Sequence, residues 1–121
     1  HALCTQRDPF RRDFEITGSE DCLYLDVYAP EIITTSLPVM VFFHGGGFMC
    51  GSGNKYFYGP DSLLEHDVIY IGANYRVGPL GFLSTGEESA SGNFGLKDQV
   101  QVLRWIKENI GECKSAVCVF I

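Results

Sequence analysis

The chain has 121 residues, which suits one domain, and its 45% of hydrophobic residues supports a core and excludes a disordered protein. The net charge of −6, from acidic residues scattered along the chain, gives no electrostatic support for a nucleic-acid partner. No apolar run approaches the roughly 20 residues that cross a bilayer, so no membrane span is expected.

The first half of the chain contains two predicted strands. Residues 1–18 are polar and are predicted to form a loop. Residues 22–30 alternate and are rich in Tyr, Leu and Val, which predicts a strand that ends at Pro30. Residues 38–44 form a continuous apolar run between proline and glycine, typical of a strand buried on both faces of a parallel sheet.

A glycine-rich stretch separates these strands from the next ones. Residues 45–59 hold six glycines and are predicted to form a long loop. Pro60 is well placed near the start of one short helix. Residues 68–75 are predicted to form another buried strand. In residues 76–92, glycine and proline interrupt any helical or strand periodicity, which predicts a loop.

One amphipathic helix is predicted over residues 93–110, with Asn93 as its N-cap and Gly111 just past its end. Its expected core face consists of five apolar residues, Leu96, Val100, Leu103, Ile106 and Ile110. Residues 115–121 are apolar and β-prone and suit one more strand. The alternation of strands and helices predicts an α/β fold with a mostly parallel sheet.

The glycines after the second strand do not fit a nucleotide- or phosphate-binding site. The dinucleotide pattern GxGxxG fails at Cys50 and again at Tyr56, and no Gly-Lys pair exists for a phosphate-binding loop. The HGGGF segment, residues 44–48, instead suits an oxyanion hole, in which backbone N–H groups bind a developing negative charge. Glycine turns successive N–H groups inward and has no Cβ to obstruct a substrate. An ordinary glycine-rich turn is the alternative.

Four motifs follow one another in the chain: SEDCLYLDVYAP (19–30), HGGGF (44–48), NYRVGPLGFLS (74–84) and GNFGLKDQ (92–99). Together they closely resemble the type-B carboxylesterase/cholinesterase family, and in particular insect carboxylesterases. The resemblance covers about residues 4–110. It implies an α/β-hydrolase fold and a serine hydrolase that cleaves small-molecule carboxylic esters through an acyl-enzyme, without a metal or cofactor.

The resemblance also implies roles for individual residues. Gly46 and Gly47 would donate their backbone N–H groups to the oxyanion, and Gly45 would shape the turn. Cys4 and Cys22 match the cysteines of the family's first disulfide loop. That pairing would indicate an oxidising compartment and a secreted or extracellular parent protein. The alternative is two free thiols in a cytosolic esterase.

Roles are also expected for four more residues. Arg76 and Asp98 resemble a family ion pair that ties the loop after one strand to the long helix; two separate surface charges are the alternative. His44 is expected to be structural, because the family's catalytic histidine lies far downstream. Cys50 is expected to serve as a small apolar residue beside the glycine-rich turn.

The C-terminal end departs from the family. No G-x-S-x-G occurs in the chain, and the family's nucleophile, acid and catalytic histidine belong to later sequence. Residues 1–121 are therefore interpreted as a partial carboxylesterase domain that is cut before the nucleophile. The first residue, His1, also corresponds to a position inside the family's sequence and not to its start. The 121-residue chain alone is predicted to be inactive.

Residues 111–121 are a candidate non-family tail with two explanations. Either residues 115–121 are a divergent form of the strand that leads to the nucleophile, or the reading frame continues past an exon boundary after Ile110 or Gly111. The second is favoured, because Gly-Glu-Cys-Lys can be encoded by GGT GAG TGT AAG, which contains the intron start GTGAGT. Alternatives for function are a non-catalytic cholinesterase-like adhesion homologue and a truncated product without activity; the intact HGGGF favours an enzyme.

Overall fold

The structure, a computed structural model, describes residues 1–9, 15–33, 36–110 and 116–120. The elements in chain order are β1 (Gln6–Arg7), β2 (Ile16–Thr17), β3 (Leu25–Tyr28), β4 (Pro38–Phe43), α1 (Asp61–Leu64), β5 (Ile69–Ala73), α2 (Gly78–Phe82), a 3-10 turn (Glu88–Ala90), α3 (Phe94–Asn109) and β6 (Ala116–Phe120). None of the helices in this described part is long and apolar enough to cross a membrane.

The main sheet has four strands in the order β3-β5-β4-β6. β4 pairs in parallel with β5 and β6, and β3 runs antiparallel to β5. The predicted α/β class with a mostly parallel sheet is thus confirmed. The two parallel strands β4 and β5 end side by side, with Phe43 opposite Ala73, so the chain segments that follow them start at the same edge.

The core lies around the two inner strands. β5 is buried along its whole length, as its continuous apolar run predicts. β4 instead alternates: Val39, Val41 and Phe43 are buried, whereas Met40 and Phe42 are half-buried. The expectation that this strand is buried on both faces is therefore wrong for one face, where Phe42 packs against the aromatic rings of Tyr58 and Tyr70 rather than under a helix.

The long helix α3 begins and ends within one residue of its prediction. Its predicted core face is right for Leu103, Ile106 and Ile110, which lie in or against the core, and wrong for Leu96 and Val100. Leu96 and Val100 are 41% and 46% exposed. The buried positions are Gly95, Asp98 and Ile106. The reason is close packing at the helix start, where a Cβ on residue 95 would lie 2.7 Å from the ring of Phe82. A hydrophobicity pattern does not detect a contact face that begins with glycine and a paired carboxylate.

The N-terminus of α3 also differs from expectation. Asn93 occupies the N-cap position, but its φ of 56° is left-handed and its side chain makes no capping hydrogen bond. Asparagine tolerates this conformation better than most residues, so it serves the turn and not the cap. The predicted helix stop at Gly111 lies outside the described residues.

Two short features escaped the sequence prediction. Within residues 1–18, β1 pairs antiparallel with β2 through two residues each, too few to show alternation. Helix α2 lies in the stretch predicted as loop, with Pro79 in its first turn, where the missing proline N–H has no cost.

Candidate active-site loop

The glycine loop, defined here as residues 44–53, leaves the end of β4. Residues 45–49 are exposed, whereas His44, Cys50 and Ser52 on either side are buried. The apex turns because the Gly46 carbonyl accepts the N–H groups of Met49 at 3.0 Å and Cys50 at 3.4 Å. Gly46 has a φ of 123°, and an added Cβ would contact the Cys50 carbonyl oxygen, so the turn requires glycine at this position.

The N–H groups of Gly46 and Gly47 point to the chemistry this loop can perform. Both residues are exposed, and within the described residues neither N–H donates a hydrogen bond. Two adjacent peptide donors are therefore available to an external acceptor. Backbone donors held in place and aimed at one point are what stabilises an oxyanion.

His44 lies beneath the loop and not in it. Its ring stacks on Tyr75, with centroids 4.3 Å apart, and its Nδ1 lies 2.9 Å from the Gly45 carbonyl. The Tyr75 hydroxyl donates to the His44 carbonyl at 2.7 Å. Burial lowers the pKa of His44, so the ring is neutral at pH 7 and Nδ1–H is the donor to Gly45. This arrangement agrees with the structural role expected for His44.

Phe48 fastens the far side of the apex. Its φ is 60°, a left-handed value that is unusual for a bulky residue. The ring packs 5.2 Å from that of Phe82 and 6.4 Å from that of Tyr75, and the carbonyl accepts the Gly78 N–H at 2.7 Å. Helix α2, to which Gly78 and Phe82 belong, thus holds the loop in a strained conformation of the kind found at functional sites.

Asn74, directly after β5, connects the returning arm of the loop with two distant segments. Its Oδ1 accepts from Ser52 Oγ at 3.0 Å and from the Gly53 N–H at 2.9 Å. Its Nδ2 donates to the carbonyls of Ala2 and Cys22, both at 3.0 Å. Asn74 is 2% exposed, so this amide satisfies four polar partners inside the protein.

Sequence reasoning missed Asn74 and a second amide, that of Gln6, which bonds to Gly51 of the glycine loop. A signal existed for Asn74, because a polar residue that directly follows a fully buried strand needs partners. No local pattern marks Gln6, which lies in a polar segment.

The three cysteines whose side chains the structure describes are a bonded pair and a buried thiol. The structure joins Cys4 and Cys22 in a disulfide, the pairing that the resemblance implied. Cys50 is a free, buried cysteine, and burial raises the pKa of its thiol. A protonated, buried thiol suits the expected packing role. Within the described residues, no group of three or more His, Cys, Asp or Glu side chains is placed to hold a metal ion.

The structure also brings Arg76 and Asp98 together. The guanidinium donates from Nε to Oδ2 at 2.8 Å and from Nη2 to Oδ1 at 2.7 Å, and the Arg76 N–H adds a third bond to Oδ2 at 3.0 Å. The hydrogen bond to Asp98 raises the pKa of Arg76. This bidentate pair attaches the segment after β5 to the first turns of α3.

Comparison with known sequences matches most of the chain to one family of proteins. The model of the carboxylesterase family matches residues 1–113. A juvenile hormone esterase from Tribolium castaneum is 50% identical over 112 residues, which are 92% of this chain and 19% of that protein. A bile salt-activated lipase from Homo sapiens is 46% identical over 103 residues, 77% of this chain and 14% of that protein.

Solved structures give the same result. The juvenile hormone esterase from Manduca sexta, with OTFP covalently attached, superposes with a TM-score of 0.87 and 37% identity over 98% of this chain and 24% of that one. A structure named PNB esterase superposes with a TM-score of 0.85 and 39% identity over 99% of this chain and 26% of that one. The chain thus spans about a quarter of these solved chains, and 19% and 14% of the two curated relatives above.

Proposed function

Because this chain belongs to the carboxylesterase family and has part of the α/β-hydrolase fold, we propose that it is the oxyanion-hole segment of a serine carboxylic ester hydrolase. The observation that carries the proposal is the pair of available N–H groups on Gly46 and Gly47, at the apex of a loop whose two arms are fixed by buried side chains.

In the proposed reaction a serine attacks the carbonyl carbon of a small-molecule carboxylic ester, and a histidine oriented by an acidic residue accepts the proton. Negative charge then develops on the carbonyl oxygen, to which Gly46 and Gly47 donate. The tetrahedral intermediate collapses to an acyl-enzyme, which water hydrolyses. The nucleophile, acid and base belong to sequence beyond these 121 residues, and no metal or cofactor takes part.

The disulfide between Cys4 and Cys22 supports a secreted parent protein, because disulfides persist in oxidising compartments. The 121-residue chain alone is proposed to be inactive.

The test is labelling of the full-length protein with a fluorophosphonate, a reagent for activated serines, together with hydrolysis of p-nitrophenyl esters. We expect both reactions in the full-length protein and neither in residues 1–121. A folded full-length protein that does not react with the reagent would favour the non-catalytic adhesion homologue. Ester hydrolysis by residues 1–121 alone would refute the proposal that the nucleophile, acid and base lie outside them.

The origin of residues 111–121 has its own test, which is the transcript sequence across codons 109–121 compared with genomic DNA. We expect Ile110 or Gly111 to join a downstream exon that encodes G-x-S-x-G. A mature message that ends after Ile121 would mean that this product lacks a nucleophile.

A further inference from the structure

The N-terminal segment reaches the glycine loop through the amide of Gln6, which is 8% exposed. The Gly51 N–H donates to Gln6 Oε1 at 2.7 Å, and Gln6 Nε2 donates to the Gly51 carbonyl at 2.9 Å. Nε2 also donates to the Cys4 carbonyl at 2.9 Å. Only one orientation of the amide matches these donors with these acceptors, so the side chain is locked in place.

Gly51 in turn packs against the start of the loop. It has a φ of 122°, and an added Cβ would contact His44 Nδ1 and lie 2.6 Å from the Gly45 carbonyl oxygen. The two arms of the loop therefore touch through backbone and ring atoms with no side chain between them. The Gly45 carbonyl belongs to the same peptide group as the Gly46 N–H, so Gly51 packs against the peptide that carries the first of the two donors.

Gln6 is itself held by a cross-linked frame. The disulfide joins Cys4 to Cys22, and the Thr5 N–H donates to the Ser19 carbonyl at 3.1 Å. The disulfide and this hydrogen bond fix the segment just before Gln6, and the pairing of β1 with β2 fixes it from Gln6 onward.

We propose that Gln6 is a positioning residue of the active site, which acts through Gly51 to hold Gly46 and Gly47 in the geometry that meets the oxyanion. This inference rests on the proposed function. Gln6 does not touch the substrate. Since donor geometry matters more in the transition state than in the bound ester, loss of Gln6 lowers kcat and leaves KM nearly unchanged.

The kinetic test compares Gln6→Ala with wild type in the full-length protein, with kcat expressed per active site counted by fluorophosphonate. We expect kcat to fall about 10- to 100-fold and KM to change less than about three-fold. Gln101→Ala, an exposed glutamine of α3, is the matched control and keeps both values. A kcat of Gln6→Ala within about two-fold of wild type overturns the proposal.

The variant Gln6→Glu distinguishes a positioning role of Gln6 from a general loss of structure. A protonated carboxyl can accept from the Gly51 N–H and donate to the Gly51 carbonyl, as the amide does, whereas a carboxylate faces two carbonyl oxygens. The ratio of its kcat to that of wild type should therefore rise as pH falls from about 8 to about 5. Among the described residues, the titratable groups that adjoin Gln6 in sequence or belong to the glycine loop are Arg7, Asp8, His44 and Cys50. Gln6→Ala measured at the same pH values corrects for them, and a flat ratio contradicts the proposal.

Amide hydrogen exchange tests the same idea without turnover. The N–H groups of Met49 and Cys50 donate to Gly46, so their exchange reports the shape of the apex. Gln6→Ala should speed this exchange at least about 10-fold, while Ile71 in buried β5 keeps its rate. Unchanged exchange at Met49 and Cys50 overturns the proposal. Altered exchange in a protein that hydrolyses no ester overturns the proposed function and leaves the positioning role standing.

Discussion

The glycine loop and helix α3 belong to the same chain but obtain their shapes in opposite ways. The backbone hydrogen bonds of α3 run between neighbouring turns, and its bounds follow from local sequence. The loop is held by bonds to residues 45, 21 and 31 positions away, from Gln6, Asn74 and Tyr75 respectively. A segment can therefore be exposed and still be well defined, provided that buried polar groups of other segments hold its ends.

Burial of apolar surface contributes less to the loop than to the helix, although the Phe48 ring packs against Phe82 and Tyr75. Residues 45–49 are exposed, and Phe48 and Met49 remain 51% and 52% accessible. In α3, by contrast, Ile106 is fully buried against the sheet. Single changes should therefore break the loop through hydrogen bonds and backbone fit, and break the helix through packing and its ion pair.

The largest effect is expected for Gly46→Ala, which places a Cβ against the Cys50 carbonyl at a φ of 123°. The apex must shift, and the loss of one oriented donor typically costs about 100- to 1000-fold in kcat. Steady-state kinetics of the full-length protein measure this. Gly86→Ala is the control, because Gly86 also has a positive φ, of 79°, but an added Cβ would meet nothing within 4 Å. Similar losses in both variants would contradict the role of the apex.

Asn74→Ala should follow. It removes four hydrogen bonds and strands buried polar atoms, so the free energy of unfolding should fall by about 3 kcal/mol or more. Urea unfolding of the full-length protein measures the loss. Asn54→Ala is the matched control, since Asn54 makes one exposed bond to the Tyr56 N–H and should cost less than about 1 kcal/mol. Equal losses of unfolding free energy in Asn74→Ala and Asn54→Ala would show that the buried bonds of Asn74 do not hold the loop.

Arg76→Met tests the helix side of the comparison. It leaves the buried Asp98 carboxylate with the Arg76 backbone N–H as its remaining bond, and should cost about 2–3 kcal/mol of unfolding free energy. Because the Arg76 side chain is 37% exposed, we place the cost below that of a fully buried pair. The loop should keep its shape, so exchange at Met49 and Cys50 should stay at the wild-type rate. Faster exchange there would show that loop and helix are coupled.

The smallest effect concerns pH. The folded pKa of His44 lies below its ordinary value of 6.5, so the unfolded chain binds the proton more readily. Stability from this residue is complete above about pH 6.5 and falls as pH drops toward the folded pKa, by at most about 1.4 kcal/mol per pH unit. His44→Gln should lack this part of the slope in urea unfolding between about pH 7 and about pH 5. An identical slope in both proteins would show that His44 titrates normally.

Elements with local signals were predictable from the sequence, and contacts between distant segments were not. β4, β5 and α3 follow from apolar runs and periodicity, and the 116–120 stretch, predicted as a strand, pairs with β4. The bonds of Gln6 and Asn74 depend on a tertiary arrangement that no pattern in the chain encodes locally. The same limit explains α3, whose contact face starts with Gly95 and Asp98.

For the site, the family resemblance supplied Gly46 and Gly47 by motif, and their role stays a prediction. It also supplied the pairing of Cys4 with Cys22, which the structure contains. What it could not supply is the way the loop is held, because a motif names the donors and says nothing about the side chains that orient them.

The bonds of Asn74 set an order of events during synthesis. The side chain joins Ala2, 72 residues earlier, to Cys22 and to the glycine loop. The first residues of the chain therefore leave the ribosome long before their partner exists and must wait undocked. Closing so long a stretch is slow compared with forming a helix. The loop that would bind the oxyanion thus takes its final shape only after residue 74 has emerged and residue 2 has docked against it.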